Sequence, residues 1–439
     1  MTCAIVNWME SEEQQLHESD SLWRHGDFLK LWSAQSISQI GTQVSFLAVP
    51  LIGAVTLDAS AAQMGLLAAA ETSPFLFFGL FAGVLADRVR RRPILIWTDF
   101  GRAALMAAIP VLWWLGALSL PLLIAVAFCV GTLNVLFEVS YQSYLPALVR
   151  RDQLVDGNSK LETSRAGAQI AGPGLAGGLI HLLGAPVAVV LDAASFLVSG
   201  LLLGRIEREE PRPERGDEPG SVAREIREGL GYIWKHPLLR PIAGCTGTAN
   251  FFGGMGVALL VLFATTELGL SAGALGIIFA AGSLGFLAGA LVAGRVAGVL
   301  GVGRTIIVST IVAAGGVSAI ACAGGPTAVV WGVLLAATAT TGGGAAVYNI
   351  TQVSLRQTIT PDRMLGRMNA TMRFLVWGTL PLGNLAGGLL GDTIGLRATF
   401  GVAGIGSLLA TLWPLFSDIR HTVTYPDAPG EALEGAVAD

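Results

Sequence analysis

Twelve apolar stretches, each long enough to cross a bilayer, constrain this chain more than any other feature of its sequence. A helix needs about 20 apolar residues to span a hydrocarbon core about 30 Å thick. Only 13% of the 439 residues are charged, whereas soluble domains carry about 25%. The sequence therefore predicts an all-α polytopic membrane protein. Its twelve transmembrane segments lie at 29–56, 61–86, 93–116, 119–145, 157–182, 185–205, 239–266, 271–298, 303–324, 327–354, 364–391 and 395–416.

Basic residues predict the orientation of these segments. Short loops rich in lysine and arginine stay in the cytoplasm. If segment 1 starts in the cytoplasm, Arg397 is the only one of the 27 lysines and arginines on the outer side. Residues 1–27 lack the basic start and short apolar core of a cleaved signal. We therefore expect a multi-pass protein of a bacterial-type inner membrane with both termini in the cytoplasm.

A hydrophilic stretch divides the twelve segments into six and six. With an offset of 210 residues, Leu175–Leu179 and Leu385–Leu389 are identical, which indicates a parallel repeat. A repeat of this kind is typical of transporters whose two halves move about a central site. The predicted units are a cytoplasmic N-terminal segment, a six-helix bundle, a cytoplasmic linker, a second six-helix bundle and a cytoplasmic tail, at 1–28, 29–205, 206–237, 238–416 and 417–439.

Within the linker, an amphipathic helix is predicted before Pro237. Val222, Ile226, Leu230 and Ile233 fall on one of its faces. A helix of this type is expected to lie along the inner membrane surface.

The loop between segments 2 and 3 carries a recognisable motif. Gly83–Arg92 reads GVLADRVRRR. The pattern G-x-x-x-D-R-x-x-R-R resembles the signature of this loop in the major facilitator superfamily, although Arg90 stands where the family usually has glycine. Pro361–Arg367 and Asp192–Phe196 are similar to the enterobactin-exporter-like, multidrug efflux branch. The resemblance covers about residues 25–416 and implies two six-helix bundles in a secondary active exporter.

The resemblance also implies a conformational latch between the halves. In the family, the acid of the loop between helices 2 and 3 docks against the start of helix 11 when the protein is open outward. A carboxylate at a helix N-terminus is stabilised by about 0.3–1 kcal/mol. The residues implied here are Gly83, Asp87, Arg88 and Arg91, facing Gly366, Arg367 and Arg373.

Segment 5 contains closely spaced glycines around a proline. Gly174 and Gly178 form a small-xxx-small pair, which lets helices approach closely, and Pro173 permits a bend. With Gly172 and Gly177 the motif resembles the helix 5 signature of exporters. A packing face with no bearing on transport direction is the alternative interpretation.

Several ionisable residues lie inside the predicted helices. Asp99 and Arg102 are three residues apart and share a helix face; with Glu138, Glu162 and Arg165 they form either a charge network that senses the latch or purely structural pairs.

Glu71 lies near the middle of segment 2, and Asp192 is similarly deep in segment 6. An intramembrane carboxylate is a functional candidate, for protons or for substrate. The alternative is a hydrogen-bonded structural carboxylate. A polar cavity lined by Gln35, Gln39, Gln43, Asn134, Tyr141 and Asn250 is expected beside them. Proton-coupled antiporters of the family usually carry an arginine in helix 4, and the span 120–145 has none.

Enzymatic functions find little support. None of the three lysines follows a glycine, which excludes a Walker-type phosphate loop, and no two of the five histidines lie four apart, which excludes H-E-x-x-H. We expect no cofactor, no metal and no nucleic-acid partner.

The predicted function is the export of an amphipathic small molecule (a drug, siderophore or secondary metabolite) by a monomer in the lipid bilayer. Alternating access driven by the proton gradient is the expected mechanism. The alternatives are an importer or lipid-translocating permease of the same fold, and a transport-inactive scaffold or sensor.

Overall fold

A computed structural model describes residues 22–208, 210 and 222–425, except for the side chains at 80, 83, 84, 86, 87, 222–226, 362 and 363. These ranges contain twelve long helices and a shorter helix in the linker. The long helices are α1 (Gly26–Leu51, continued by a π-helical turn at Ile52–Thr56), α2 (Ala61–Arg88), α3 (Arg91–Trp114), α4 (Leu120–Leu148), α5 (Leu154–Leu183), α6 (Ala185–Gly204), α7 (Leu239–Thr266), α8 (Ala272–Leu300), α9 (Val302–Ile320), α10 (Thr327–Ile359), α11 (Asp362–Ile394) and α12 (Leu396–Leu409, followed by Leu412–Leu415).

Length and hydropathy identify ten of these helices, within the ranges described, as able to cross a membrane. The other two, α2 and α5, have 28 and 30 residues, which also suffices for a span. The first turns of α5 carry Asp156, Lys160, Glu162 and Arg165, which lowers its mean hydropathy. The predicted all-α polytopic fold is confirmed.

Single glycines form three of the tight connections between helices. Gly184, Gly301 and Gly395 have φ angles of 81°, 82° and 88°. Each ends one helix and begins the next. Glycine occupies this left-handed region without the steric cost of a Cβ, so consecutive helices reverse direction within one residue.

The helices pack as two groups. In the first half, α1 contacts α5 and α6, α2 contacts α4, and α3 lies against α4 and α6. In the second half, α7 contacts α11 and α12, α8 contacts α10, and α9 lies against α10 and α12. The most extensive contacts between the halves are those of α2 with α11 and of α5 with α8; α1 and α2 also touch α7. Of the two most extensive pairs, α5 and α8 border the central cavity described below.

The linker helix (Val222–Lys235) packs against the second half. Ile233 is buried in an apolar cluster with Leu239 and Met368, and Arg367 of α11 donates to Glu228 at 2.8 Å. Ile233 is covered by protein, so at least this part of the apolar face packs on the second half; the position of the helix along the inner membrane surface stays a prediction. The side chains of Val222 and Ile226 lie outside the described residues.

Candidate functional site

A cavity of about 770 Å³ lies between the two halves. We call it the central cavity. Its walls come from α1 and α5 of the first half and α7 to α10 of the second. Most of the lining is apolar, with Phe46, Phe279 and Phe286 among the large side chains. No charged side chain lines it within the described part of the chain; its polar members are Thr42, Gln43, Gln169, Ser283, Thr338 and Thr341.

One end of the central cavity is sealed by contacts between the halves. Where α5 crosses α8, a Cβ built on Gly177 would lie 2.7 Å from the Cα of Gly276. Where α2 crosses α11, a Cβ on Gly65 would lie 2.7 Å from the Cα of Gly388. Ser60 donates to Asp392 at 2.9 Å beside this second crossing. Backbones that touch without side chains between them leave no passage at what we call the sealed end.

Toward the other end, α5 and α8 separate. Ile170 of α5 and Leu287 of α8 both line the central cavity, so the cavity lies between the two helices at that level. Still further from the seal, Gly167 of α5 and Gly294 of α8 face open space. α5 and α8 thus diverge at the end that carries the linker helix, while α4 and α11 stay in contact through the hydrogen bond from Arg373 to Gln142 at 3.4 Å.

A second, smaller cavity of about 70 Å³ lies inside the first half. We call it the side pocket. Glu71 of α2, Asn134 of α4 and Asp192 of α6 line it, and Thr42 and Phe46 line both this pocket and the central cavity. The two cavities are therefore neighbours across α1.

The two carboxylates of the side pocket differ in their surroundings. Asp192 is completely buried, and Ser195 donates to its Oδ1 at 3.2 Å. Ser45 of α1 is also within hydrogen-bonding reach of this carboxylate. Glu71 also lines the pocket; part of its surface is open to the cavity, although many protein atoms surround the side chain. No described lysine or arginine lies within 4.0 Å of either carboxylate.

Arg102 is held between two aromatic rings. Its guanidinium carbon lies 4.1 Å from the ring centre of Phe137 and 4.3 Å from that of Phe196. It pairs with Asp99 and donates to Asn134 Oδ1 at 2.9 Å. Cation–π contacts are strongest where the cation is desolvated, as it is here. Although α4 has no arginine, Arg102 of α3 places a guanidinium group inside the first half.

A second hydrogen bond completes this cluster. Ser199 of α6 donates to Asp99 Oδ2 at 2.6 Å. Ser199 and both rings were absent from the sequence-predicted site. The spacing of Asp192, Phe196 and Ser199 on one face of α6 is the signal that indicates them.

With this geometry in place, a family model described as "transmembrane secretion effector" matches residues 21–433. The chain belongs to this family of major facilitator transporters. The superfamily predicted from the loop motif is confirmed, and family and fold are those of transporters rather than enzymes.

Named relatives of the transporter include efflux pumps. It is 28% identical to the multidrug efflux pump Tap of Mycolicibacterium fortuitum, over 90% of this chain and 96% of Tap. It is 26% identical to the MFS-type transporter y4rN of Sinorhizobium fredii, over 89% of this chain and 95% of y4rN. The alignment with YfiS of Bacillus subtilis, 27% identical, spans only half of that protein and 48% of this chain.

Solved structures share the fold of the transporter. A bacterial homologue of the human lysosomal transporter Spinster, inward-facing and occupied, superimposes with a TM-score of 0.70 at 13% identity, covering 92% of this chain and 98% of that one. A bacterial homologue of the iron transporter ferroportin, in an inward-facing state, gives 0.68 at 18% identity over 90% and 98%. At these identities the likeness concerns the fold alone.

The predicted polar residues of the transporter do not form one polar cavity. Gln43 lines the central cavity, while Gln35 is buried and Gln39 half-buried on α1. Tyr141 stacks on Phe137 of its own helix, and Asn250 donates to the Val376 carbonyl in the second half at 2.9 Å. The expected polar cavity is corrected to a largely apolar one, because these side chains point to different places.

The predicted charge network divides into separate groups. Asp99 and Arg102 form the buried pair. Glu138 accepts from Gln142 at 2.8 Å, and Glu162 lies 3.7 Å from Arg165. Glu138 and the Glu162–Arg165 pair lie on more exposed helix faces, and neither is hydrogen-bonded to Asp99 or Arg102 in the described structure.

The glycine motif of α5 uses a different face from the predicted one. Gly172 packs against Gln43, and Gly177 against Gly276. Gly174 and Gly178 face open space. The predicted Gly174–Gly178 packing pair is therefore wrong; the pair that packs on α8 is Pro173 and Gly177, one residue earlier in the same spacing.

The latch residues have other partners in this conformation. Glu210 accepts from the backbone N–H groups of Arg91 and Arg92, at 2.9 and 3.0 Å, and so caps α3. Arg367 is paired with Glu228, and Arg373 donates to Gln142 of α4 at 3.4 Å. Arg88 is exposed, and Gly366 faces open space. The side chains of Gly83 and Asp87 lie outside the described residues, so the latch stays a prediction.

Proposed function

We propose that the transporter exports amphipathic small molecules by alternating access, in exchange for protons. The central cavity carries this proposal. It is large, mainly apolar and closed at one end. With the orientation proposed from the basic residues, the sealed end faces outward and the molecule is ready to load from the cytoplasm or the inner leaflet.

The lining of the cavity supports the substrate class. Apolar walls with a few hydrogen-bonding groups suit ligands that bury apolar surface and fix their orientation by a small number of polar contacts. Ser283 and Gln169 are such groups. A strongly hydrated sugar or inorganic ion would lose its hydration shell without replacement. The likeness to the efflux pump Tap over nearly its whole length favours export over import.

Proton exchange is proposed for Glu71 and Asp192. Both line the side pocket, next to the central cavity, and neither has a described cationic partner. A carboxylate without a partner in a low-dielectric site favours its neutral, protonated form. Proton binding and release there supplies the driving force without a cofactor. A monomer suffices, because the central cavity lies within one chain.

Transport in reconstituted vesicles tests the proposal. A proton gradient should drive accumulation of a fluorescent amphipath, such as the neutral dye Nile red or the cation rhodamine 6G. The change Ser283→Trp fills the central cavity and should reduce transport at least about tenfold. Leu291→Trp, on a residue of the same helix that is 70% exposed and does not line the central cavity, should leave it unchanged. Equal transport in both variants would overturn the role of the cavity.

A further inference from the structure

We propose that a pocket inside the second half binds an uncharged aryl group that carries a hydroxyl, while the rest of the ligand occupies the central cavity. We call it the neutral pocket. Its volume is about 170 Å³, and Gly253, Val317 and Thr341 line both this pocket and the central cavity. The inference rests on the proposed function and narrows its substrate class.

The neutral pocket lies where Arg102 and its partners lie in the first half. An offset of 211 residues relates the two glycine crossings between the halves, Gly65 to Gly276 and Gly177 to Gly388. The same offset pairs residues of the buried cluster with residues that line the neutral pocket, namely Asp99 with Thr310, Arg102 with Ala313, Phe137 with Tyr348 and Phe196 with Ser407. A methyl and a hydroxymethyl group thus replace the guanidinium and one aromatic ring, and the space that those two groups fill in the first half becomes a pocket in the second.

Charge is absent from the lining of the neutral pocket, within the ranges that the structure describes. Its walls come from α7, α9, α10 and α12. The charged residues of these four helices all lie within four residues of a helix end, at Arg240, Arg304, Arg356 and Arg397. An ionised ligand group would lose its hydration in this pocket without gaining a counter-charge. The pocket therefore favours an uncharged group.

Hydrogen-bonding groups of both kinds line the neutral pocket. Thr310 and Thr341 each donate their single hydroxyl proton to a carbonyl of their own helix at 2.8 Å, so their oxygens are left as acceptors. Asn250 spends one of its two N–H donors on the Val376 carbonyl at 2.9 Å and keeps the other. A ligand hydroxyl both donates and accepts, so it can pair with both kinds of group.

The dimensions of the pocket select the size of the ligand group. A protein cavity of about 150 Å³ is large enough to bind benzene, and the neutral pocket is slightly larger. Its apolar walls, which include Ala249, Ala313 and Val317, suit the faces of one ring. Because Val317 and Thr341 also line the central cavity, a ligand whose hydroxyl-bearing ring lies in the neutral pocket reaches the central cavity with its remaining apolar part.

Three naphthalenes of similar size test the pocket in the purified, full-length protein. Near pH 7, 2-naphthol is neutral and carries a hydroxyl, 2-methylnaphthalene is neutral without one, and 2-naphthoate is an anion. Calorimetric titration should show 2-naphthol binding at least about tenfold more tightly than either of the others, because 2-methylnaphthalene leaves buried polar groups unpaired and 2-naphthoate buries an uncompensated charge.

The wild-type comparison needs no variant to fold, so it decides the ligand class by itself. Equal affinity for 2-naphthol and 2-methylnaphthalene, or tightest binding of 2-naphthoate, would overturn the proposal.

Two variants and a control locate the binding. Ser407→Phe restores the ring that Phe196 supplies in the first half; it should fill the neutral pocket and remove the preference for 2-naphthol. Asn250→Leu keeps the volume but deletes the amide, so it should weaken binding of 2-naphthol and leave that of 2-methylnaphthalene unchanged. Thr358→Val, on α10 outside the pocket, should retain the full preference. Full preference in Ser407→Phe would place the ligand elsewhere and overturn the neutral pocket.

Dye transport separates this proposal from the proposed function. If 2-naphthol binds preferentially but neither Nile red nor rhodamine 6G is transported, the neutral pocket stands and the export function fails. If both dyes are transported but 2-naphthol has no preference, the export function stands and the neutral pocket is overturned.

Discussion

Gly177 of α5 and Gly276 of α8 meet backbone to backbone across the two halves of the transporter. A Cβ on Gly177 would lie 2.7 Å from the Gly276 Cα, and a Cβ on Gly276 would lie 2.8 Å from the Gly177 Cα. Real Cβ atoms do not tolerate such distances from backbone atoms. The α5–α8 crossing at the sealed end therefore depends on two residues that have no side chain.

Gly177→Leu should prevent closure of the sealed end. The leucine side chain holds α5 and α8 apart, so the population shifts toward states with this end open, and transport falls at least about tenfold. The measurement is labelling of Ser283→Cys, in a background without the native cysteines, by a membrane-impermeant thiol reagent from the sealed side. Labelling should increase. Gly178→Leu, whose side chain enters open space, is the control, and an equal increase there would contradict the role of the contact.

Asp87→Asn should weaken the latch without affecting membrane insertion. A carboxylate at the start of α11 is worth about 0.3–1 kcal/mol, and that energy favours the outward-open state. Its loss should reduce labelling of Ser283→Cys from the sealed side by roughly twofold to fivefold. Asp152→Asn, an exposed acid paired with Arg150, should have no such effect. Unchanged labelling in Asp87→Asn would remove the latch from the mechanism.

Arg102→Met should strongly destabilise the protein. Removing one member of a buried ion pair leaves the other charge unpaired and costs about 3–5 kcal/mol. Thermal unfolding in detergent should show a large decrease in midpoint. The double variant with Asp99→Leu should regain part of the lost unfolding midpoint, because neither charge of the pair then remains. Arg165→Met breaks an exposed pair worth about 0–1 kcal/mol, so its unfolding midpoint should change little. A decrease as large as that of Arg102→Met would show that burial of the Asp99–Arg102 pair is not the cause.

His236 should make stability depend on pH. It lies between the linker helix and α7, and its Nδ1 accepts from the backbone N–H groups of Leu238 and Leu239. Burial lowers the pKa of His236 from its ordinary value of 6.5. Above that pH both folded and unfolded chains hold it neutral. Below it the unfolded chain takes up the proton first, so stability should fall progressively as the pH decreases toward the lowered pKa.

Unfolding midpoints between about pH 8 and pH 5 measure this effect. His236→Asn keeps an acceptor at the start of α7 but does not titrate, so the decrease attributable to this residue should disappear. His421→Asn, on an exposed residue, should retain the decrease. An identical pH profile for His236→Asn and the wild type would contradict the assignment.

Hydropathy determines much of this architecture directly. Segment 7 was predicted at the observed bounds, Leu239–Thr266, and most other boundaries agree within a few residues. The reason is that a bilayer imposes length and apolarity on each helix independently of its neighbours. Charge placement is equally local, since Asp99 and Arg102 pair within one turn of α3. The motif at Gly83–Arg92 needs only the chain itself to be recognised.

Which face of each helix meets a partner is decided by the tertiary structure. In α5, Pro173–Gly177 and Gly174–Gly178 have the same four-residue spacing of small residues, and only the position of α8 selects the first pair. The side pocket likewise needs five helices to bring Glu71, Asp192 and Asn134 together. Sequence alone determined that this protein crosses the membrane as a bundle of helices and carries acids within it. The rotation and crossing of the helices decided where those acids meet. Both follow from packing between helices that are distant in the chain.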